Sequence, residues 1–387
     1  MNRPETDSRN FQWNKPLLAV LFLCASVSFA QAQINVDGSV PSVPLPSMAR
    51  QDLRIAAFRG DRAGAISYTF DDGLRNQYLL AAPILNGLGL RATFFIVPGR
   101  VAATQAEAEA KKPGELGGVT WDEIRELSAM GHEIGNHTWS HTGLKGIDDD
   151  RANEQLSKAD DKIEAEVGIF PISFAYPGNQ RDEHSRELVL RRHVEAREHE
   201  TRMGKEHTTP KWLNAWADRQ ATEHQWGVGM IHGVVDGFDP IDPEVLRQHL
   251  TYVKQRGADL WVDTFGTIAR YIRERDSAQL RVVSQTPQSI VFILDTPLSR
   301  PPFDVPLTVI VPAPGVTSGE ARSGDRALPC QASAGVLHVE CVPSPDKITV
   351  TWSGGSGVAP APAGSQPEGS GTPVSGDPLR TSNAGAK

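Results

Sequence analysis

Short apolar runs alternate with segments of helical periodicity through residues 55–277. The runs have the length and composition of strands: GAISYTF, RATFFIV, HEIGNH, PISFAY, WGVGMIH and DLWVDTF. Between them, residues 152–167 place apolar side chains on one stripe at a helical period. Thr120 begins a capping-box pattern, and Asp242-Pro243 is a typical helix start. Strands that alternate with helices predict a parallel sheet, and this number of repeats suits a closed or nearly closed α/β barrel.

The pattern changes after the last helical segment. Residues 278–352 contain short β-branched runs separated by Pro, Gly, Ser and Asp, with no helical period between them. This pattern is typical of a small all-β module of the sandwich kind. Residues 353–387 are mainly Gly, Pro, Ser and Ala, which predicts a disordered tail. Residues 33–54 are punctuated by Pro and Ser and indicate an extended lead-in.

Residues 1–32 predict a secretory signal peptide. A basic start precedes the apolar run from Pro16 to Ala30, so we expect cleavage after Ala32 and a secreted or periplasmic mature protein that does not associate with a membrane. An uncleaved anchor is the alternative, although the run is too short for a comfortable membrane span. The net charge of −8 argues against nucleic acid or an anionic membrane as a partner.

Two cysteines, Cys330 and Cys341, lie in the predicted β module. In an oxidising compartment they are candidates for a disulfide that closes a small loop. Two buried free thiols are the alternative, and the spacing leaves both open. Neither cysteine has a local histidine motif that would indicate catalysis.

Two polar motifs stand out in the barrel segment. TFDDG ends a predicted strand with adjacent carboxylates, Asp71 and Asp72, which repel each other unless a cation compensates. A solvated turn or helix cap is the alternative for an isolated motif of this kind. HTWSH supplies His137 and His141, four residues apart, which would face the same way on one helical turn. Two imidazoles and one carboxylate form a catalytic metal set with an open position, most naturally for Zn²⁺.

These two motifs, in this order, resemble the polysaccharide deacetylase (NodB-homology) family of carbohydrate esterases over roughly residues 60–275. The resemblance implies a distorted (β/α) barrel and the hydrolysis of acetyl groups from a glycan. It also implies that Asp72, His137 and His141 bind a divalent metal, usually zinc. Asp71 is then the catalytic base.

Two later motifs extend the resemblance. GMIHG implies that His232 is the general acid, and a half-buried histidine at a strand end is the alternative. SFAYPGNQ keeps the family's proline as Pro177. The same motif places Gly178 where a backbone N–H of the family helps to hold the oxyanion.

The third motif also departs from the family pattern. Ala175 stands where the family has an arginine that pairs with the base aspartate. The partner of Asp71 is therefore open, with Arg75 and Arg181 as candidates.

Together with the predicted signal peptide, the resemblance implies an exported, metal-dependent hydrolase that acts on carbon–nitrogen bonds other than peptide bonds. The expected substrate is an acetylated polysaccharide or oligosaccharide, first of all an N-acetylglucosamine-type glycan, and the expected product is acetate, released by metal-activated water. One alternative is an amidohydrolase for a small molecule on the same scaffold. Another is a glycan-binding protein that has lost activity, which Ala175 favours slightly. The sequence leaves open which sugar and linkage the substrate has and whether the acetyl group is bound as an amide or an ester. It also leaves open the identity of the metal and of any protein partner.

Overall fold

The computed structural model describes residues 53–111, 115, 117–205 and 209–354. The predicted signal peptide, nearly all of the lead-in and nearly all of the predicted tail lie outside the described residues. Within the described part of the chain, no helix combines the length and the apolar character needed to cross a membrane.

The barrel segment is built on a parallel sheet. The described chain begins with a two-residue strand, β1 (Arg54–Ile55), and then forms the strands of this sheet: β2 (Gly64–Phe70), β3 (Thr93–Ile96), β4 (Glu133–Asn136), β5 (Ser173–Ala175), β6 (Glu195–Arg197), β7 (Thr201–Arg202), β8 (Trp226–Ile231) and β9 (Leu260–Val262). Their order is β6-β5-β4-β3-β2-β8-β7, and β9 pairs with the start of β2. The edge strands β6 and β7 are consecutive in the chain, so the sheet curls into the distorted (β/α) barrel that the sequence predicts.

Helices cover the outside of this sheet. They are α1 (Ala82–Gly87), α2 (Gln105–Ala110), α3 (Trp121–Ala129), α4 (Asp149–Val167), α5 (Glu183–Leu190), α6 (Pro210–Thr222), α7 (Pro243–Gln255) and α8 (Phe265–Ser277). The predicted capping box is present, because Thr120 Oγ1 accepts the Glu123 N–H at 3.2 Å and the Glu123 carboxylate accepts the Thr120 N–H at 2.9 Å. The Asp242 side chain likewise accepts backbone N–H groups at the start of α7.

Alternation along β2 positions the first polar motif. Ile66, Tyr68 and Phe70 pack into the core that the sheet shares with the helices. Successive side chains of a strand point to opposite faces, so Thr69 and Asp71 face the barrel interior. The carboxylate that ends this interior row is therefore aimed into the barrel rather than at solvent.

The second part of the chain is a β-sandwich, as the sequence predicts. Its strands are β10 (Gln279–Thr286), β11 (Ser289–Asp295), β12 (Leu307–Pro312), β13 (Val316–Ser323), β14 (Arg326–Leu328), β15 (Cys330–Ser333), β16 (Val336–Cys341) and β17 (Ser344–Gly354). The sheets β1-β12-β16-β15 and β10-β11-β17-β13-β14 share one hydrophobic core, which also includes Ile268 and Tyr271 of α8. Because β1 pairs with β12, the predicted boundary between residues 54 and 55 falls inside a strand of the sandwich. The domain boundaries themselves stay predictions.

Cys330 and Cys341 are free thiols in the structure, and the predicted disulfide between them is not formed. Cys330 faces Val339 in the register of β15 and β16, so Cys341 is its diagonal neighbour. Diagonal positions lie about 7–8 Å apart, which is beyond the usual span of a disulfide. Burial raises the pKa of the Cys341 thiol to about 12, so this group is a packed, unreactive thiol.

Candidate active site

The site residues that the sequence predicts lie at the carboxyl ends of the parallel strands. The positions involved are Asp71 and Asp72 after β2, His137 and His141 after β4, Pro177 and Gly178 after β5, and His232 after β8. Enzymes built on (β/α) barrels gather their catalytic groups at this end of the strands. The fold therefore brings residues from four separate motifs to one rim.

Asp72, His137 and His141 form a compact cluster whose ligand atoms all lie within 4.8 Å of one another. The Oδ1 atom of Asp72 is 3.1 Å from His141 Nε2 and 3.5 Å from His137 Nε2. This oxygen is buried and accepts no hydrogen bond. Burial raises the pKa of the Asp72 carboxyl, but the two imidazoles lower it by more, and the result is well below the usual range. A buried, ionised oxygen facing two imidazole nitrogens fits a divalent cation.

The orientation of His137 supports the same reading of the cluster. Its Nδ1 lies 2.8 Å from the carbonyl oxygen of Ala175, and a carbonyl can only accept a hydrogen bond. Nδ1 therefore carries the ring proton, and Nε2 presents its lone pair toward Asp72. His141 is about a third exposed, which leaves the cluster open to solvent on that side.

The prediction that His137 and His141 lie on one helical turn is wrong. Residues 137–141 form a loop in which Thr138 has φ +62° and His141 has φ +63°. Side chains replace the missing helical hydrogen bonds, because Asn136 Oδ1 accepts the Thr138 N–H at 2.7 Å and Thr138 Oγ1 accepts the Thr142 N–H at 2.9 Å. Left-handed backbone outside glycine is unusual and is often found at functional sites.

Asp71 is held by an arginine that the sequence did not single out. The Nη1 atom of Arg197 donates to Asp71 Oδ1 at 2.6 Å and its Nη2 donates to Oδ2 at 2.5 Å. Both side chains are almost fully buried. Burial raises the pKa of the Asp71 carboxyl, but the charge and hydrogen bonds of Arg197 lower it by more. Asp71 is therefore ionised at neutral pH without being part of the cluster of Asp72, His137 and His141.

The two arginines proposed from the sequence as partners of Asp71 are engaged elsewhere. Arg75 pairs with Glu123 at 3.0 Å, and Arg181 donates to the backbone oxygen of Glu198 at 2.6 Å. Arg197 was missed because β6 has only three residues and lies in a highly charged stretch. The alternation of strands and helices was the one available signal, since it calls for another strand after α5.

His232 lies on the other side of Asp71. Its Nε2 is 4.0 Å from Asp71 Oδ2, and its backbone oxygen accepts a hydrogen bond from Gln77 at 2.8 Å. Burial lowers the pKa of this imidazole, Asp71 and Asp72 raise it, Arg197 lowers it, and the net direction is downward. A protonated His232 would therefore release its proton readily.

Pro177 and Gly178 form a tight turn immediately after β5. Pro177 is buried, and Gly178 has φ +59°, a conformation that favours glycine. The turn lies next to Ala175, whose backbone oxygen orients His137. The role of Gly178 in holding an oxyanion stays a prediction.

Comparison with known proteins gives one family match. Residues 59–195 match the family described as polysaccharide deacetylase. A gellan lyase from Bacillus sp. is 23% identical over 299 residues, which is 67% of this chain and 11% of that protein. A chitin deacetylase from Pestalotiopsis sp. is 27% identical over 116 residues, which is 28% of this chain and 32% of that protein. The chain thus spans well under half the length of either relative.

Among solved structures, a Mycobacterium smegmatis protein assigned to the polysaccharide deacetylases is 16% identical, with a TM-score of 0.45. The similarity covers 58% of this chain and 94% of that one.

Proposed function

Because residues 59–195 belong to the polysaccharide deacetylase family, we propose that this protein hydrolyses acetyl groups from an acetylated polysaccharide or oligosaccharide. An N-acetylglucosamine-type glycan is the proposed substrate, zinc is the proposed metal, and the protein acts after export. One observation carries the proposal. Asp71, kept ionised by Arg197, lies beside the cluster of Asp72 and the two histidines and is free to act as a base.

Asp72, His137 and His141 would hold the metal. The bound ion would supply Lewis-acid polarisation of the acetyl carbonyl and activation of water. The chain itself prepares the cluster, because the Ala175 carbonyl fixes the His137 tautomer and Asn136 shapes the loop between the two histidines.

The remaining groups move protons. Asp71 accepts a proton from a water molecule as the oxygen of that water attacks the acetyl carbon. Arg197 keeps the Asp71 carboxylate in one orientation through its two hydrogen bonds. As the bond from the acetyl carbon to the sugar nitrogen or oxygen breaks, His232 donates a proton to the leaving atom. The products are acetate and the deacetylated sugar, and the proton on Asp71 returns to solvent or to His232.

The contacts of Arg197 weaken the alternative of an inactive glycan-binding protein. That alternative was favoured only by the alanine at position 175, and the guanidinium expected there is present from β6 instead. The alternative of a small-molecule amidohydrolase shares the same proton-transfer groups and differs only in substrate.

Acetate release tests the proposal. Chitin oligomers, peptidoglycan, acetylxylan and acetylated gellan are offered as substrates, gellan because of the name of the Bacillus relative. We expect release from at least one glycan, loss on chelation, recovery with Zn²⁺, and loss in Asp71→Asn. Asp149→Asn, an exposed aspartate that pairs with His184, is the matched control and should behave as wild type.

Three results would count against this function. Acetate release that survives chelation would show that the reaction does not require a metal. Full activity in Asp71→Asn would show that Asp71 is not the catalytic base. If no glycan releases acetate but small amides are hydrolysed, the amidohydrolase alternative is correct.

A further inference from the structure

The loop between β8 and α7 exposes two large apolar side chains beside the candidate active site. Phe238 is 59% exposed and Val235 is 57% exposed. The Phe238 ring meets the His232 ring at an angle of 89°, with the centroids 5.0 Å apart. Neither side chain is used in the proton transfers proposed above.

The backbone of this loop is strained at Val235, one of the two exposed residues. Val235 has φ +75°, a conformation that is rare for a β-branched residue. Gly237 and Asp239 also have positive φ angles. Hydrogen bonds from Gly233 N–H to Phe238 O at 3.2 Å and from Val235 N–H to Ile241 O at 3.0 Å close the loop. Strain of this kind persists only where surrounding contacts maintain it, and it is concentrated at binding sites.

Contacts from neighbouring segments supply that support. Asn76 Nδ2 donates to the backbone oxygen and to Oδ1 of Asp236, both at 2.9 Å. The Asp239 carboxylate accepts from Arg202 Nε at 2.5 Å and from the Lys205 N–H at 2.9 Å. Hydrogen bonds thus hold the loop on both sides, so its exposed apolar side chains have defined positions.

The surroundings of Phe238 match the chemistry of a sugar ring. Pyranose rings present C–H groups on their faces and hydroxyl groups at their edges, so they bind where apolar surface is rimmed by polar groups. The guanidinium of Arg202 lies over one face of the Phe238 ring, 4.9 Å from its centroid, and the Asp239 carboxylate pairs with this guanidinium. The Phe238 side chain is still 59% exposed, so the loop offers apolar surface with charged hydrogen-bonding groups next to it.

We propose that Phe238 and Val235 form a subsite for the sugar unit next to the one whose acetyl group reacts. The inference rests on the proposed function. Phe238 contacts His232, which lies beside Asp71, so a single oligosaccharide could reach both the loop and the reacting groups. It implies that the substrate is an oligomer or polymer and that the protein distinguishes chain length.

Chain-length dependence tests the subsite. Acetate release is measured from an acetylated pentasaccharide, of chitin or of xylan according to which is cleaved, and from 4-nitrophenyl acetate. Phe238→Ala should lower kcat/KM for the pentasaccharide about fivefold to tenfold more than for the small ester, chiefly through KM. Phe238→Tyr should retain most of the preference. Ile169→Ala is the matched control, since Ile169 is 63% exposed at the opposite end of the barrel strands.

A direct binding measurement keeps the test independent of turnover. Calorimetry with the pentasaccharide compares zinc-loaded Asp71→Asn with Asp71→Asn/Phe238→Ala, and the second should bind about fivefold to tenfold more weakly. The subsite is overturned if Phe238→Ala lowers kcat/KM equally for the pentasaccharide and the ester, or if the two variants bind the pentasaccharide equally well. In either case, acetate release by the wild type still supports the deacetylase function. Absence of acetate release from every glycan by the wild type overturns both.

Discussion

Arg197 lies directly opposite Ala175 in the parallel register of β5 and β6. Residues paired in this way project from the same face of a sheet. The methyl group of Ala175 leaves the space over β5 that the Arg197 guanidinium occupies, above the Phe95 ring and against Asp71. The sequence resemblance led us to expect an arginine at position 175, and the neighbouring strand supplies one instead.

Removal of this arginine should change both stability and pH dependence. Arg197→Ala leaves the Asp71 carboxylate buried without a partner, which costs about 3 kcal/mol of folding stability near neutral pH. Since Arg197 lowers the pKa of Asp71, its loss raises that pKa. The base is then protonated at higher pH, so the acid limb of the kcat/KM profile moves upward. The pH profile of acetate release measures this shift, and Arg181→Ala is the control that should leave the profile in place.

Moving the arginine back to its family position should restore part of the loss. In Ala175→Arg/Arg197→Ala, the new guanidinium enters the space vacated by Arg197, and the acid limb should return toward the wild-type pH. Ala175→Arg alone overfills the interior and should destabilise the protein by at least about 1–3 kcal/mol. If the double variant shows the same pH profile as Arg197→Ala, an arginine at position 175 cannot replace Arg197 as the partner of Asp71. The two positions would then not be equivalent.

Metal binding should stabilise the fold through the Asp72 cluster. Zn²⁺ at about 100 times its dissociation constant adds about 2.7 kcal/mol to the free energy of unfolding. His137→Ala should lose this gain, because it removes one of three converging ligands. His184→Ala, which removes an exposed histidine paired with Asp149, should keep it. Urea unfolding with and without Zn²⁺ provides the measurement, and an equal gain in both variants would place the metal elsewhere.

The loop that carries the two histidines should depend on Asn136. Its Nδ2 donates to Asp160 Oδ1 at 2.6 Å and its Oδ1 accepts the Thr138 N–H at 2.7 Å. Asn136→Ala leaves the buried Thr138 N–H unpaired, at a cost of about 1–3 kcal/mol in stability, whereas Asp160 Oδ1 keeps its contact with His193 Nε2 at 2.9 Å. Loss of such supporting contacts typically weakens metal affinity about 10–100-fold. Competition with a zinc chelator measures the affinity. Asn86→Ala, which alters an asparagine in the last turn of α1 and outside the cluster, is the control. An unchanged affinity in Asn136→Ala would contradict the role of Asn136.

The sequence was sufficient where spacing and alternation carry the information. The six predicted strands of the barrel lie within or overlap the observed β2, β3, β4, β5, β8 and β9, because their apolar runs are long enough to be distinctive. Asp72, His137 and His141 were placed together by motif order, and the structure brings them within 4.8 Å. The confirmed capping box at Thr120 follows from purely local chemistry.

The parts that escaped prediction depend on contacts between distant residues. Arg197 became visible only through the register of β6 against β5, which a short charged strand does not reveal. The loop from His137 to His141 departs from a helical turn because Asn136 and Thr138 provide alternative partners for its backbone. The pairing of β1 with β12 joins segments separated by the whole barrel, and no local pattern indicates it.

The seam between α8 and the sandwich should make stability depend on pH. Glu274 is fully buried, its Oε1 accepts the Val305 N–H at 3.2 Å, and its Oε2 has no hydrogen-bond partner. Burial, assisted by Asp304, raises the pKa of this carboxyl from its ordinary 4.5 to about 7. Between these two values the folded state binds more protons than the unfolded state, so stability falls as pH rises from about 4.5 to 7 and then levels off.

Glu274→Gln removes this ionisation while keeping an acceptor for the Val305 N–H. The variant should match the wild type below about pH 4.5 and exceed it by about 1–3 kcal/mol at pH 8, with the difference growing between those limits. Urea unfolding at pH 4.5, 6 and 8 measures the difference. Glu187→Gln, which alters an exposed glutamate on α5, should show no such trend. A constant difference between Glu274→Gln and wild type at all three pH values would mean that the pKa of Glu274 is the same in the folded and unfolded states, because a group that binds equally many protons in both states contributes no pH dependence.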